Sequence, residues 1–188
     1  MQGHWIPACA GITSKFVVAL LMLGAAAIST TLSAQDSAAP GTASVTSELE
    51  PVIRSLFDTI EALSDYPAPE TLPPVFLLSQ NLIEAKVCEE PCNVTAAYVP
   101  REVIYLAENL DPVHEPRDRA ALLHELVHYL QQGHPKFAHM KPCERERAKE
   151  REAYAIQNAY LERIGIRERV VFYDGDFDCD GERSARSP

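Results

Sequence analysis

The stretch Ala120-Ala121-Leu122-Leu123-His124-Glu125-Leu126-Val127-His128-Tyr129-Leu130 decides how the rest of the chain is read. It is a helical run carrying H-E-x-x-H, and on an α-helix residues i and i+4 lie one above the other on the same face. His124 and His128 therefore direct two imidazoles at one point. Imidazole is a good ligand for Zn²⁺, and Glu125 is placed to take a proton from a water whose pKa the metal lowers toward ~7. The pattern predicts metal-assisted hydrolysis. Leu122, Leu123, Leu126, Val127 and Leu130 make the run apolar enough to be buried, and a buried imidazole needs a partner.

The flanks set the limits of this helix. Asp111-Pro112 to Asp118 supplies a turn and N-cap candidates, so the helix is expected from about Arg117 to Gln132. Gly133 offers a left-handed residue past its C-terminus, and Pro135 bars continuation. His114, His134 and His139 lie in the neighbouring loops and read as solvated histidines, with substrate binding or charge stabilisation as the alternative.

A catalytic Zn²⁺ takes three protein ligands and keeps a position open. Gln131-Gln-Gly-His-Pro135 carries no His-x-x-Gly-x-x-His continuation, so the third ligand is sought in the acidic helix Cys143 to Ile164. Ala153, Ile156, Gln157, Tyr160, Leu161 and Ile164 mark its inward face. At ~100° per residue Glu150 falls inside that arc and Glu152 outside it. Glu150 is the expected ligand, since a carboxylate on an apolar face is costly unless it is paired or metal-bound; Glu152 is the alternative. Glu146, one turn earlier, is a candidate acceptor to orient an imidazole. Tyr154, one turn on, is a candidate to hydrogen-bond a ligand or a substrate.

His124-Glu125-Leu126-Val127-His128 followed by Glu150-Arg-Glu-Ala153-Tyr154 resembles the gluzincin class of zincin metallopeptidases, over about residues 95–165. The resemblance implies that His124, His128 and Glu150 bind zinc and that Glu125 is general base and acid. It also implies a minimal α+β domain: a small antiparallel or mixed sheet with an edge strand above the active helix, and a ligand helix after it. The chain departs from the class at Tyr154, where several members place an Asp that supports a ligand histidine. It also lacks an obvious second lobe to supply a transition-state donor, which leaves Tyr154, Tyr105 or a loop histidine as candidates.

Outward from the site, Lys15 precedes the apolar run Phe16 to Ile28 and a small-residue ending at Ala34, so residues 1–34 read as a secretory signal peptide. An uncleaved anchor is the alternative reading. Residues 35–47, rich in Ala, Ser, Thr, Pro and Gly, read as a disordered linker, and 48–188 as a single domain with an acidic tail. Loss of Lys15 with the leader moves the formal charge from −10 to −11, which disfavours nucleic acid and anionic lipid. Membrane contact is expected only through an uncleaved leader.

Within the domain, Leu49, Val52, Ile53, Leu56, Ile60 and Leu63 form one apolar stripe of a helix that ends before Tyr66-Pro67. Val75 to Leu78 reads as a short strand, with Ser79 as N-cap of a helix Gln80 to Val87. Thr95 to Val99 and Val103 to Leu106 predict a hairpin joined by Pro100-Arg101-Glu102. Its second strand is a candidate rim of the cleft, where an edge could pair with an extended peptide, with a strand that merely completes the sheet as the equal alternative. Cys88, Cys92, Cys143 and Cys179 read as disulfides of an exported protein. The preferred pairing is Cys88 with Cys92 and Cys143 with Cys179. Asp174-Gly-Asp-Phe-Asp-Cys-Asp-Gly181 begins like a calcium loop but has Ser187 where the closing Glu belongs, and reads as an acidic tail.

These readings converge on an exported zinc hydrolase acting on a peptide or protein. The rival is a secreted binding or regulatory domain that keeps zinc for structure.

Overall fold

The computed structural model describes residues 48–88, 92–101, 103–174, 177 and 179. The leader, the linker and most of the Asp-rich tail lie outside the described residues. Helix α1 spans Leu49–Leu63, strand β1 Val75–Leu78, helix α2 Gln80–Val87, β2 Ala96–Val99, β3 Val103–Ala107, α3 Pro116–Gln131 and α4 Pro142–Arg163, with a short 3₁₀ turn at Pro135–Phe137 before α4. This is a small α+β domain.

The sheet is mixed and open, with strand order β1-β3-β2. β1 runs parallel to β3 with Val75 opposite Ile104, and β2 is antiparallel to β3 with Tyr98 opposite Ile104. Arg101 takes a left-handed conformation (φ 64°) in the hairpin connection. The candidate rim strand, β3, is therefore the central strand and completes the sheet; the edges are β1 and β2, and β2 is the one joined to α3 through Tyr98 and Glu125. The parallel partner β1 explains the correction: it occupies the side of β3 that a lone hairpin would leave open.

Period-two alternation sends the strands' side chains to two faces. Val75, Ala96, Ile104 and Leu106 join Ile53, Phe57 and Ile60 of α1, Leu122, Leu123 and Leu126 of α3, and Ala153, Ile156 and Leu161 of α4 in the main core. On the other face Leu78, Ala97 and Ala107 pack with Ile83 of α2 and Val94, with Tyr105, Cys88 and Cys92 at the margin. Each fully buried Leu or Ile contributes about 1.5–3 kcal/mol by leaving water. α1 and α3 thus exist as helices chiefly because their apolar stripes meet here.

The boundaries of α3 follow from local chemistry. Pro116 occupies its first turn, where a missing N–H is harmless, and Asp118 turns back to accept the Asp111 N–H at 2.8 Å. Beyond Gln131 the chain turns through Gly133 at φ 72°, a conformation in which a side chain would be strained. Ser79 precedes α2 as expected, but its side chain makes no cap bond; its carbonyl accepts from Leu82 and Ile83 instead. Both preferred disulfides are present, Cys88–Cys92 and Cys143–Cys179. The second ties the tail to the start of α4, and Arg151 holds Asp174 of that tail at 2.9 Å.

A candidate metal centre between α3 and α4

His124 and His128 stand one turn apart on the face of α3 that meets α4. Their Nε2 atoms are 3.0 Å apart. Glu150 approaches both, with its carboxylate oxygens 3.3 Å from His124 Nε2 and 3.2 Å from His128 Nε2. One donor atom from each residue falls within a span of 4.8 Å, so the three residues can hold a metal ion. Glu150 is 4% exposed and belongs to the cluster, whereas Glu152 is partly exposed and pairs with Lys136 outside it.

The spacing suits a cation at the centre. An ion with ~2.0 Å bonds in tetrahedral geometry separates its donors by ~3.3 Å, close to all three observed edges. The imidazole protons support the same reading. His128 Nδ1 lies 2.9 Å from Gln131 Oε1, and His124 Nδ1 lies 3.1 Å from Gln157 Oε1. An amide oxygen can only accept, so each ring donates through Nδ1–H and turns its Nε2 toward the cluster. Two nitrogens 3.0 Å apart beside a carboxylate require a cation, either a shared proton or a metal.

The electrostatics agree. Burial works against a charged His128, but the Glu150 carboxylate outweighs it and pushes the imidazole up to about 9. Burial also works against an ionised Glu150, and there the two imidazoles prevail and hold its carboxyl well below the usual range. Glu125 shows the opposite balance: burial raises its carboxyl, only partly offset by the same histidines. It is 8% exposed, and its Oε2 accepts the main-chain N–H of Tyr98 at 2.7 Å. Tyr98 belongs to the edge strand β2, so the sheet reaches the site through that strand.

Tyr154 packs its ring edge-on against His124 at 4.5 Å, and Phe172 of the tail lies 5.7 Å beyond it. This aromatic row forms one wall of the centre.

Several expected roles move elsewhere. Glu146 does not orient an imidazole; it pairs with Lys149 at 3.1 Å on the exposed side of α4. The orienting acceptors are Gln131 and Gln157. Tyr105 points to the opposite face of the sheet, near Phe76 and under Lys86, because Ile104 and Leu106 take the face toward α3. His114 is held by Asp111, and His134 packs on Tyr66. Neither they nor exposed His139 join the cluster. The sequence signal for the glutamines was positional: Gln131 is one turn past His128, and Gln157 is two turns past Glu150 on its inward face.

A small α+β domain with a His-His-Glu centre between two helices is the class that fold and site define. Residues 45–175 match the family described as "Domain of unknown function (DUF6647)", and the chain belongs to that family. No curated protein and no solved structure matches it.

Proposed function

We propose that this protein is an exported zinc-dependent hydrolase, most simply a metallopeptidase of the gluzincin kind. The observation that carries the reading is the convergence of His124 Nε2, His128 Nε2 and the Glu150 carboxylate from two helices, with the H-E-x-x-H carboxylate of Glu125 buried beside them. Zinc held there by His124, His128 and Glu150 would polarise a scissile carbonyl and make water a nucleophile near neutral pH.

The remaining work falls to the chain itself. Burial leaves Glu125 more basic than a solvated carboxylate, which suits a group that must take a proton and release it to the leaving amine. Tyr98 engages one oxygen of that carboxylate and so fixes its orientation. Tyr154 packs against His124 and is the candidate for binding substrate or stabilising charge. The β2 edge, already linked to Glu125, is the place for an extended peptide to lie. The two disulfides fit an extracellular or periplasmic environment, and no helix among the described residues is long and apolar enough to cross a membrane.

The Tyr98–Glu125 bond also favours the second reading, a domain that keeps its metal for structure, because it gives Glu125 a structural task. Glu125→Gln separates the two. The amide is isosteric, so zinc content should be unchanged in metal analysis, while hydrolysis of a mixed peptide library should fall by about 10²–10⁴. Undiminished hydrolysis in that variant excludes Glu125 as the base. No hydrolysis by the zinc-loaded wild type leaves the structural reading.

A further inference from the structure

The two imidazoles do not rest on equal supports. Gln157 is buried on α4 and accepts from His124. Gln131, 1% exposed, is itself held from outside: its amide nitrogen donates to the Lys149 carbonyl and to Glu152 Oε2, both at 3.0 Å. Those two acceptors determine which way the amide faces. The nitrogen must point at them, so the oxygen must point at His128 Nδ1. Glu152 in turn accepts the hydroxyl of Tyr66 at 2.5 Å and is bonded by Lys136.

We infer that Glu152 is a positioning residue for the metal centre: acting through Gln131, it holds the His128 proton on Nδ1 and the ligating lone pair on Nε2. The chain of contacts runs Tyr66 and Lys136 to Glu152, to Gln131, to His128. It brings the loop after α1 and the turn after α3 into control of a site that neither touches. Glu152 sits two residues beyond Glu150 and faces away from the ligands, yet its acceptor oxygen governs the geometry of one of them. In a chain that lacks an acidic residue at position 154, this relay supplies a carboxylate one amide further out.

The inference rests on the metal reading for its consequence, and its geometry can be tested apart from zinc. The Nδ1 proton of His128, donated into a buried amide, should give a downfield, slowly exchanging proton resonance in the wild type, with or without zinc. Glu152→Leu should abolish that resonance and weaken zinc binding, measured by competition with a chromophoric chelator, by about 10–100-fold. Glu152→Gln keeps an oxygen for Gln131 and Tyr66 and lets the half-exposed Lys136 turn away, so it should restore both signals to within about threefold of wild type.

A purely structural Glu152 would lower thermal stability in the Leu variant while leaving the zinc affinity and the resonance of the folded protein intact. That result overturns the proposal. If the Leu variant does not fold, Gln131→Met carries the same expectation, because it fills the space and removes the acceptor. Absence of the resonance in the wild type also overturns the relay. A wild type that shows the resonance but binds no zinc sinks the metal reading and leaves the relay standing.

Discussion

The two faces of the sheet are built on different principles. The face over α2 is an apolar patch of Leu78, Ile83, Val94, Ala97 and Ala107, bordered by the Cys88–Cys92 bridge. The face over α3 and α4 is larger and mostly apolar too, but it encloses His124, Glu125, Gln131, Glu150 and Gln157. Among the described residues these are the buried polar and charged side chains, and all of them lie on α3 and α4. Burying such groups is unfavourable even when they are paired, and well-packed apolar residues often serve stability as well or better. Their confinement to one helix pair separates a region that only holds the fold from one that accepts a penalty to build a cluster able to hold a metal ion.

The most direct way to break this contrast is to make the second region resemble the first. The triple variant His124→Leu, His128→Leu, Glu150→Met should lose stoichiometric zinc altogether. It should nevertheless remain folded, with metal-free stability equal to the wild type or higher by about 1–4 kcal/mol in urea titrations. A triple variant that is markedly less stable than metal-free wild type would show that the polar cluster supports the fold, and the contrast would fail.

The converse change sharpens it. Ile83 is fully buried in the α2 patch, away from the cluster. Ile83→Ala should cost about 2–5 kcal/mol, the range for deleting a buried aliphatic side chain. Zinc affinity of the folded protein should not move. A large loss of affinity at constant fold would mean that the two faces are coupled through β3.

How much of this was legible beforehand depended on whether the deciding partner lay on the same element. α3 declared itself through its own period and its i,i+4 histidines, and Glu150 through its place on the inward arc of α4. The disulfide pairing followed from sequence spacing and export. The rest needed partners from elsewhere in the chain. Nothing in the hairpin sequence says that β1 will pair with β3, and that pairing alone takes β3 off the edge. Glu152 reads as a surface charge when α4 is viewed by itself; its meaning comes from Tyr66, 86 residues earlier, and from Gln131 on another helix. The glutamines escaped for a different reason. An amide on an inward face fits a packing role as readily as an orienting one, and only the direction of its neighbours' hydrogen bonds distinguishes them.

The smallest effect is on pH dependence, and it bears on the same contrast. Without metal, against the opposing effect of burial, the Glu150 carboxylate pushes the His128 pKa up from 6.5 to about 9, so its contribution to stability is fully present below pH 6.5 and is lost as pH rises through 9. Glu150 is shifted the other way, below its ordinary 4.5, so its contribution is present above pH 4.5 and is lost as pH falls toward its folded value. Glu125, raised by burial, acts in the same direction as His128: its desolvation penalty is felt in full once pH exceeds its folded value. Metal-free protein should therefore be most stable between about pH 4.5 and 6.5 and should lose a few degrees of Tm by pH 9. Zinc should remove most of the alkaline loss, because the metal takes the place of the proton between the imidazoles, and its affinity should rise with pH over the same interval. The triple variant, which lacks both imidazoles and Glu150, should lose their share of this profile and keep only the pH dependence due to buried Glu125. A metal-free wild type whose Tm holds constant from pH 6 to 9 would mean that the imidazoles share no proton, and the charge balance assigned to this face would be wrong.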